Sequence, residues 1–90
     1  MTQPNEEPLP LIDYRVWDGT VDGAIEVMAW IDPTVIAYLQ EETPPLEDML
    51  VVTTIDGNAR ARKNDYIVLT EEGYRPMKRV IFRQTYPEAQ

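Results

Sequence analysis

The chain from Met49 to Pro76 is a series of short apolar runs separated by turn residues. The runs "MLVVTTI" and "YIVLT" are rich in β-branched side chains, which favour strands. Between them, "DGN" supplies residues that tolerate the positive φ angles of a tight hairpin, and "KND" and "EEG" supply two further turns. Because all of these connections are local, the sequence predicts antiparallel pairing in a β-meander.

The first half of the chain predicts one strand and one helix. Ile12, Tyr14 and Val16 alternate with polar or aromatic neighbours, a pattern typical of a half-buried strand. A helix is predicted from about Thr20, a good N-cap residue, to Ile31, shortly before Pro33. Its apolar stripe is predicted to comprise Val21, Ala24, Ile25, Met28 and Ile31, with Trp30 packing at the side of the stripe.

Together these elements predict an α+β fold with an N-terminal strand, one amphipathic helix, a small antiparallel meander and a short C-terminal helical turn. A closing strand is expected after that turn. Residues 34–40 fit either a strand or a helix, and the β-forming residues Val35, Ile36 and Tyr38 favour a strand. Residues 1–10, rich in proline and glutamate, are predicted to be a flexible tail, residues 11–87 a single domain, and residues 88–90 a C-terminal tail.

Composition excludes several classes of chemistry. The 90 residues include no cysteine, which excludes disulfides, thiolate nucleophiles and cysteine-bound metals. They include no histidine, which removes the usual general base and zinc ligand. No basic and apolar leader and no long apolar run are present, so we expect a cytoplasmic protein with no membrane partner.

Catalysis is not expected from the acidic residues either. The adjacent acid pairs lie in a predicted tail, linker or turn, where exposure to water keeps the pKa values of the two carboxyl groups similar. Neither group of a pair can then act as an acid while the other acts as a base. The sequence contains no EF-hand spacing and no glycine-rich phosphate loop. We therefore predict no enzymatic activity, no metal site and no cofactor.

The positive charge is concentrated at one end of an acidic chain. The net charge is −8, yet residues 1–59 contain twelve acids and one base, whereas residues 60–90 contain seven bases and four acids. If strand order follows chain order, four of these bases converge on one sheet face; the alternative is that each base simply solubilises an exposed edge. The candidate binding residues are Arg60, Arg62, Lys63, Arg75, Lys78, Arg79 and Arg83.

Several motifs resemble a family of short, uncharacterised proteins of tailed bacteriophages and prophages. They are Trp17 with Gly19, then "VVTTIDG", "NDYIVL", "GYRPM", and "IF" followed by "TY". The resemblance spans roughly residues 12–86, and in that family the position of Asn64 is normally glycine. It implies a phage origin and the cytoplasm of a bacterial host, and it implies no activity.

Three functions remain open at this stage. The first is a non-enzymatic module that binds a host protein or another copy of itself, with the Glu41 to Asp48 region as one acidic target. The second is sequestration of a small anion, such as a nucleotide, on the basic sheet face. The third is a minor component of the virion or its assembly. Double-stranded DNA is not an expected partner, because the acidic surface opposes its phosphates.

Overall fold

A computed structural model describes residues 8–89 of the chain. Most of the predicted 1–10 tail and the last residue of the predicted 88–90 tail lie outside these described residues. The elements in chain order are β1 (Asp13–Val16), α1 (Val21–Trp30), β2 (Ala37–Gln40), β3 (Met49–Thr54), β4 (Gly57–Ala61), β5 (Tyr66–Thr70), β6 (Gly73–Met77), α2 (Arg79–Thr85) and a 3-10 turn at Pro87–Ala89. The predicted α+β fold is confirmed.

The strands form two antiparallel three-stranded sheets, ordered β1-β5-β6 and β2-β3-β4. The pairs β2–β3, β3–β4 and β5–β6 are local, as the short connections predicted, and β1 adds to β5 from far along the chain. Strand β2 confirms the strand alternative for residues 37–40, whereas Thr34 lies in a turn before the strand. However, β4 and β5 are not neighbours, so strand order does not follow chain order and the meander is split between two sheets.

The two hairpins β3–β4 and β5–β6 close with the same Thr-x-x-Gly turn. Thr54 pairs with Gly57 and Thr70 pairs with Gly73, and both glycines have positive φ, +110° and +102°. Only glycine adopts such φ values without strain. Each threonine hydroxyl also accepts a backbone N–H two residues later, which fixes the first half of the turn.

Helix α1 has the predicted ends and a different buried face. The Thr20 hydroxyl accepts the Gly23 N–H at 2.9 Å, which caps the helix. The buried side chains are Ala24 and Val27, and Ile31 at the C-cap is buried as well. These positions follow the i, i+3, i+7 spacing of one helix face, and Met28 is half-buried beside them.

The predicted burial is therefore wrong for two residues of the apolar stripe. Val21 is 48% exposed and Ile25 is 56% exposed, because the face that contacts the sheets centres on Val27 and turns these two side chains outward. Trp30 packs against the core cluster, as predicted.

The main core lies between α1 and the inner faces of the two sheets, and Trp17 is fully buried in it. The Trp17 indole N–H donates to the Thr20 carbonyl at 2.9 Å. The predicted alternation implied that Ile12, Tyr14 and Val16 share a buried side of the first strand. This is wrong for Ile12 and Val16, which are 62% and 46% exposed because β1 is an edge strand. The buried core residues are Trp17, Ala24, Val27, Ile31, Leu50, Val52, Ala61, Ile67 and Tyr74.

A second, aromatic cluster holds α2 on the opposite face of the β1-β5-β6 sheet. Phe82 is fully buried, with ring centroids 4.8 Å from Tyr14, 4.4 Å from Tyr66 and 5.5 Å from Tyr86. Each ring thus packs at the short, tilted distances that aromatic pairs favour.

The C-terminal closing strand that the sequence predicted is absent from the described residues. The chain instead remains helical through Thr85, whose hydroxyl donates to the Ile81 carbonyl at 2.7 Å. Burial of Phe82 in the aromatic cluster explains why this segment is a helix rather than a single turn and a strand. No helix within residues 8–89 has the length and apolar character needed to cross a membrane.

Candidate binding face

The seven predicted binding residues are distributed over both sheets and α2. Arg60 lies on β4, and Arg62 and Lys63 follow it in the turn. Arg75 lies on β6, in the other sheet. Lys78 directly precedes α2, which carries Arg79 and Arg83. The structure therefore does not bring the seven residues together on one face.

Among residues 8–89, Arg75 and Lys78 form ion pairs with acidic side chains. Arg75 contacts Asp56 at 3.1 Å and links β6 to the β3–β4 turn, but both side chains are more than half exposed. Lys78 contacts Asp65 at 3.2 Å, and that carboxylate is buried. Exposed pairs of the first kind contribute little to stability, whereas a buried carboxylate requires its partners. The Lys78 ammonium thus already has a structural partner within the chain.

Asp65 is the only buried charged residue among residues 8–89, and it holds a turn rather than a ligand. One carboxylate oxygen accepts the Arg62 N–H at 2.8 Å, and both oxygens contact the Lys78 ammonium. These contacts tie the β4–β5 turn to the start of α2.

The side chain of Lys63 lies against Gly19, just before α1. Its aliphatic stem covers the α-carbon of Gly19, so closely that a β-carbon at residue 19 would lie 2.7 Å from the Lys63 Cγ. Its ammonium is one of the minor causes that lower the pKa of Asp18, after the hydrogen bonds from Thr20. This lysine therefore borders the acidic loop at residues 41–48.

Arg60 and Arg62 are exposed and make no side-chain hydrogen bond or ion pair with any residue of the 8–89 range. Alternation along β4 turns Ala61 into the core and Arg60 outward, as the sequence predicted. Their guanidinium groups are available to bind carboxylate or phosphate through paired hydrogen bonds.

Two apolar side chains share the outer face of the β2-β3-β4 sheet with Arg60. Tyr38 and Arg60 both pair with Val51, which is buried between them. Ile36 continues the same face, because its carbonyl accepts the Thr53 N–H at 3.0 Å. Ile36 is 67% exposed and Tyr38 is 45% exposed.

We name this surface the Arg60 face and define it by Ile36, Tyr38, Arg60 and Arg62. Sequence reasoning found the two arginines and missed the two apolar residues. The available signal was the two-residue spacing of Ile36 and Tyr38, which places both on one side of a strand.

The residues of the Arg60 face line neither the cavity beside α2 nor the one beside the acidic loop. The cavity enclosed by β6, α2 and the N-terminal segment has a volume of about 220 Å³ and includes Val68, Met77 and Tyr86. The Tyr86 hydroxyl donates to the Leu9 carbonyl at 2.8 Å beside it, and burial raises the pKa of Tyr86. Arg75 reaches this cavity, but Arg60 and Arg62 lie outside it.

The titratable groups with displaced pKa values are not arranged for acid–base chemistry. Backbone N–H donors lower the pKa values of Asp13 and Asp32, chiefly those of Tyr14 and Thr34 respectively. Hydrogen bonds from Thr20 lower the pKa of Asp18 in the same way. A carboxylate stabilised like this is a weak base. Across residues 8–89, no three acidic side chains are grouped so as to hold a metal ion.

Comparison with known proteins finds no family model that matches the sequence, and no curated protein or solved structure with significant similarity. The resemblance to phage proteins therefore stays a hypothesis based on the sequence motifs, and the argument for function depends on the Arg60 face itself.

Proposed function

We propose that this protein is a non-enzymatic binding module that docks an acidic surface of another protein on the Arg60 face. The observation that carries the proposal is the pair of exposed arginines without side-chain partners among residues 8–89, set beside Ile36 and Tyr38. Arginine and tyrosine are the residue types that contribute most to protein interfaces. Aliphatic and aromatic area supplies affinity, and the guanidinium groups select carboxylates.

A protein partner accounts for this face better than a small anion does. A small molecule is normally held in a cavity that covers most of its surface. The Arg60 face is part of an open sheet, and its residues line neither the cavity beside α2 nor the one beside the acidic loop.

The absence of histidine and cysteine from the chain supports a function without catalysis. The resemblance to phage proteins favours the cytoplasm of a bacterial host, where a host protein and another copy of this chain are both candidate partners. A place in the virion is a separate hypothesis, which mass spectrometry of purified virions would test.

The proposal is tested with a defined acidic probe. The probe is a fluorescein-labelled helical peptide that carries leucines at four-residue spacing with a glutamate beside each leucine; the control peptide has glutamine in place of glutamate. We expect fluorescence anisotropy to show binding of the glutamate peptide to wild type, weakened by salt. Arg60→Glu with Arg62→Glu should weaken binding about tenfold or more, which corresponds to about 1.4 kcal/mol.

Arg79→Glu is the control variant, because Arg79 is another exposed arginine without a side-chain partner among residues 8–89 and lies on α2. Binding of the glutamate peptide by this variant should match wild type. Equal affinity of the double variant and wild type, or equal affinity for the two peptides, would overturn the proposal.

A further inference from the structure

Helix α1 presents an exposed apolar and acidic stripe that the fold does not use. Val21 and Ile25, one helical turn apart, are 48% and 56% exposed. Asp22 and Glu26 lie directly beside them, are exposed, and have no side-chain partner among residues 8–89. The helix contains no basic residue. We define these four residues as the α1 stripe.

The α1 stripe complements the Arg60 face in both charge and apolar content. Each surface has two exposed apolar side chains, and one has two carboxylates where the other has two guanidinium groups. We propose that the α1 stripe of one copy of the protein packs on the Arg60 face of a second copy. This inference rests on the proposed function of the Arg60 face and names its partner.

The spacings on the two surfaces agree. Residues four apart on a helix are separated by about 6 Å along its axis. Residues two apart on a strand are separated by about 6.6 Å. Asp22 and Glu26 can therefore face Arg60 and Arg62 in one docked position, in which an apolar side chain of the α1 stripe lies over Tyr38, the residue level with Arg60.

The two surfaces of a single copy cannot meet each other. Helix α1 packs on the inner side of the β2-β3-β4 sheet, where its buried side chains form a cluster with Ala37 and Leu39. Ile36 and Tyr38 alternate with these residues and point to the outer side. The contact must therefore form between copies.

A contact between two different surfaces is head-to-tail, and it leaves one surface of each kind free at the ends of the assembly. In each contact, helix α1 of one copy covers the outer side of the β2-β3-β4 sheet of the next copy. The inner side of that sheet is already covered by its own α1, so both faces of the sheet are covered. A surface of this size predicts weak association that salt weakens further.

Charge reversal and mixing test this inference by sedimentation velocity at high micromolar concentration. We expect wild type to self-associate in low salt. We expect Arg60→Glu with Arg62→Glu, the sheet variant, to be monomeric, and Asp22→Lys with Glu26→Lys, the helix variant, to be monomeric as well. The mixture of the two should associate again, because every contact between unlike variants joins surfaces of opposite charge.

Two controls separate specific contact from net charge. Glu71→Lys with Glu72→Lys makes the same charge change as the helix variant, at the exposed β5–β6 turn, and should associate like wild type. The chain that carries all four reversals keeps the wild-type net charge and restores opposite charges across the contact, so it should associate again.

The outcomes distinguish this inference from the proposed function. A wild type that stays monomeric, or single-surface variants that still associate, would overturn the inference. If the glutamate peptide still binds wild type through the Arg60 face in that case, the proposed function stands and its partner is another protein. If neither the peptide nor a second copy depends on Arg60 and Arg62, both proposals are wrong.

Discussion

The backbone N–H of Asn64 donates to the carbonyl of Trp17 at 2.7 Å. The Trp17 N–H in turn donates to the carbonyl of Asp65, the residue after Asn64, at 3.1 Å. Two residues of one strand thus oppose a single residue of the other, which is a β-bulge. Asn64 has φ +72°, and Asp65 N–H donates to the Arg62 carbonyl at 2.9 Å, as in a type II turn. The turn after β4 therefore positions the fully buried Trp17.

This geometry predicts that Asn64→Gly stabilises the protein. Asparagine tolerates positive φ better than other side chains, but glycine adopts it without steric strain. We expect the free energy of unfolding to rise by about 0.5 kcal/mol, and Asn64→Ala to lower it by about 1 kcal/mol. Urea denaturation of the three proteins measures both changes. A stabilising alanine would contradict the assigned turn.

The sequence predicted this turn, because "KND" supplies an asparagine where the resembled family has glycine. It did not predict the separation of β4 from β5. Local patterns report which residues favour strands, whereas the choice of sheet depends on β1, which pairs with β5 from the other end of the chain. Arg60 and Arg75 consequently lie in different sheets.

Asp65 and Lys78 provide a second prediction about stability. Asp65→Ala leaves the Arg62 N–H without its acceptor and should lower the free energy of unfolding by about 1 to 3 kcal/mol. Lys78→Met removes a side chain that is 59% exposed and leaves the Arg62 N–H in contact with the Asp65 carboxylate, so it should cost less than about 1 kcal/mol. Thermal and urea denaturation compare the two variants. An equal or greater loss in Lys78→Met would show that the ion pair, rather than the backbone contact, holds the turn.

The faces of α1 provide a matched pair of substitutions. Val27→Asp places a charge in the core and should destabilise the monomer by about 3 kcal/mol or more. Ile25→Asp, half a turn away and exposed, should change monomer stability by only about 0.5 kcal/mol. Circular dichroism at low concentration measures both unfolding transitions. If Ile25→Asp unfolded the domain, the α1 stripe would be part of the core.

The sequence identified α1 and its ends but not its orientation. Val21, Ile25 and Val27 are all apolar, so the helical period fits more than one buried face. Contacts with β2 and Trp17 select the face centred on Val27. The exposure of the α1 stripe follows from that orientation and could not be predicted without it.

Stability should fall at acidic pH through carboxylates that accept hydrogen bonds in the folded state. The Tyr14 N–H and the Trp30 indole, with smaller effects of Arg15, lower the pKa of Asp13 below its ordinary value of 3.8. A lowered folded-state pKa adds stability above pH 3.8, which is lost as the pH falls through the folded-state value.

Asp13→Asn should therefore reduce the loss of stability between about pH 4 and pH 2, measured by urea denaturation at several pH values. The variant should also be less stable than wild type at pH 7. An unchanged dependence on pH would show that Asp13 does not contribute through its charge.

NMR titration of the ¹⁵N-labelled protein with the glutamate peptide shows, residue by residue, whether the Arg60 face is the binding surface. We predict that the amide shifts that change cluster at Ile36, Tyr38, Arg60 and Arg62, and that these changes are lost in Arg60→Glu with Arg62→Glu. Shift changes confined to another surface, or none at saturating peptide, would contradict the claim.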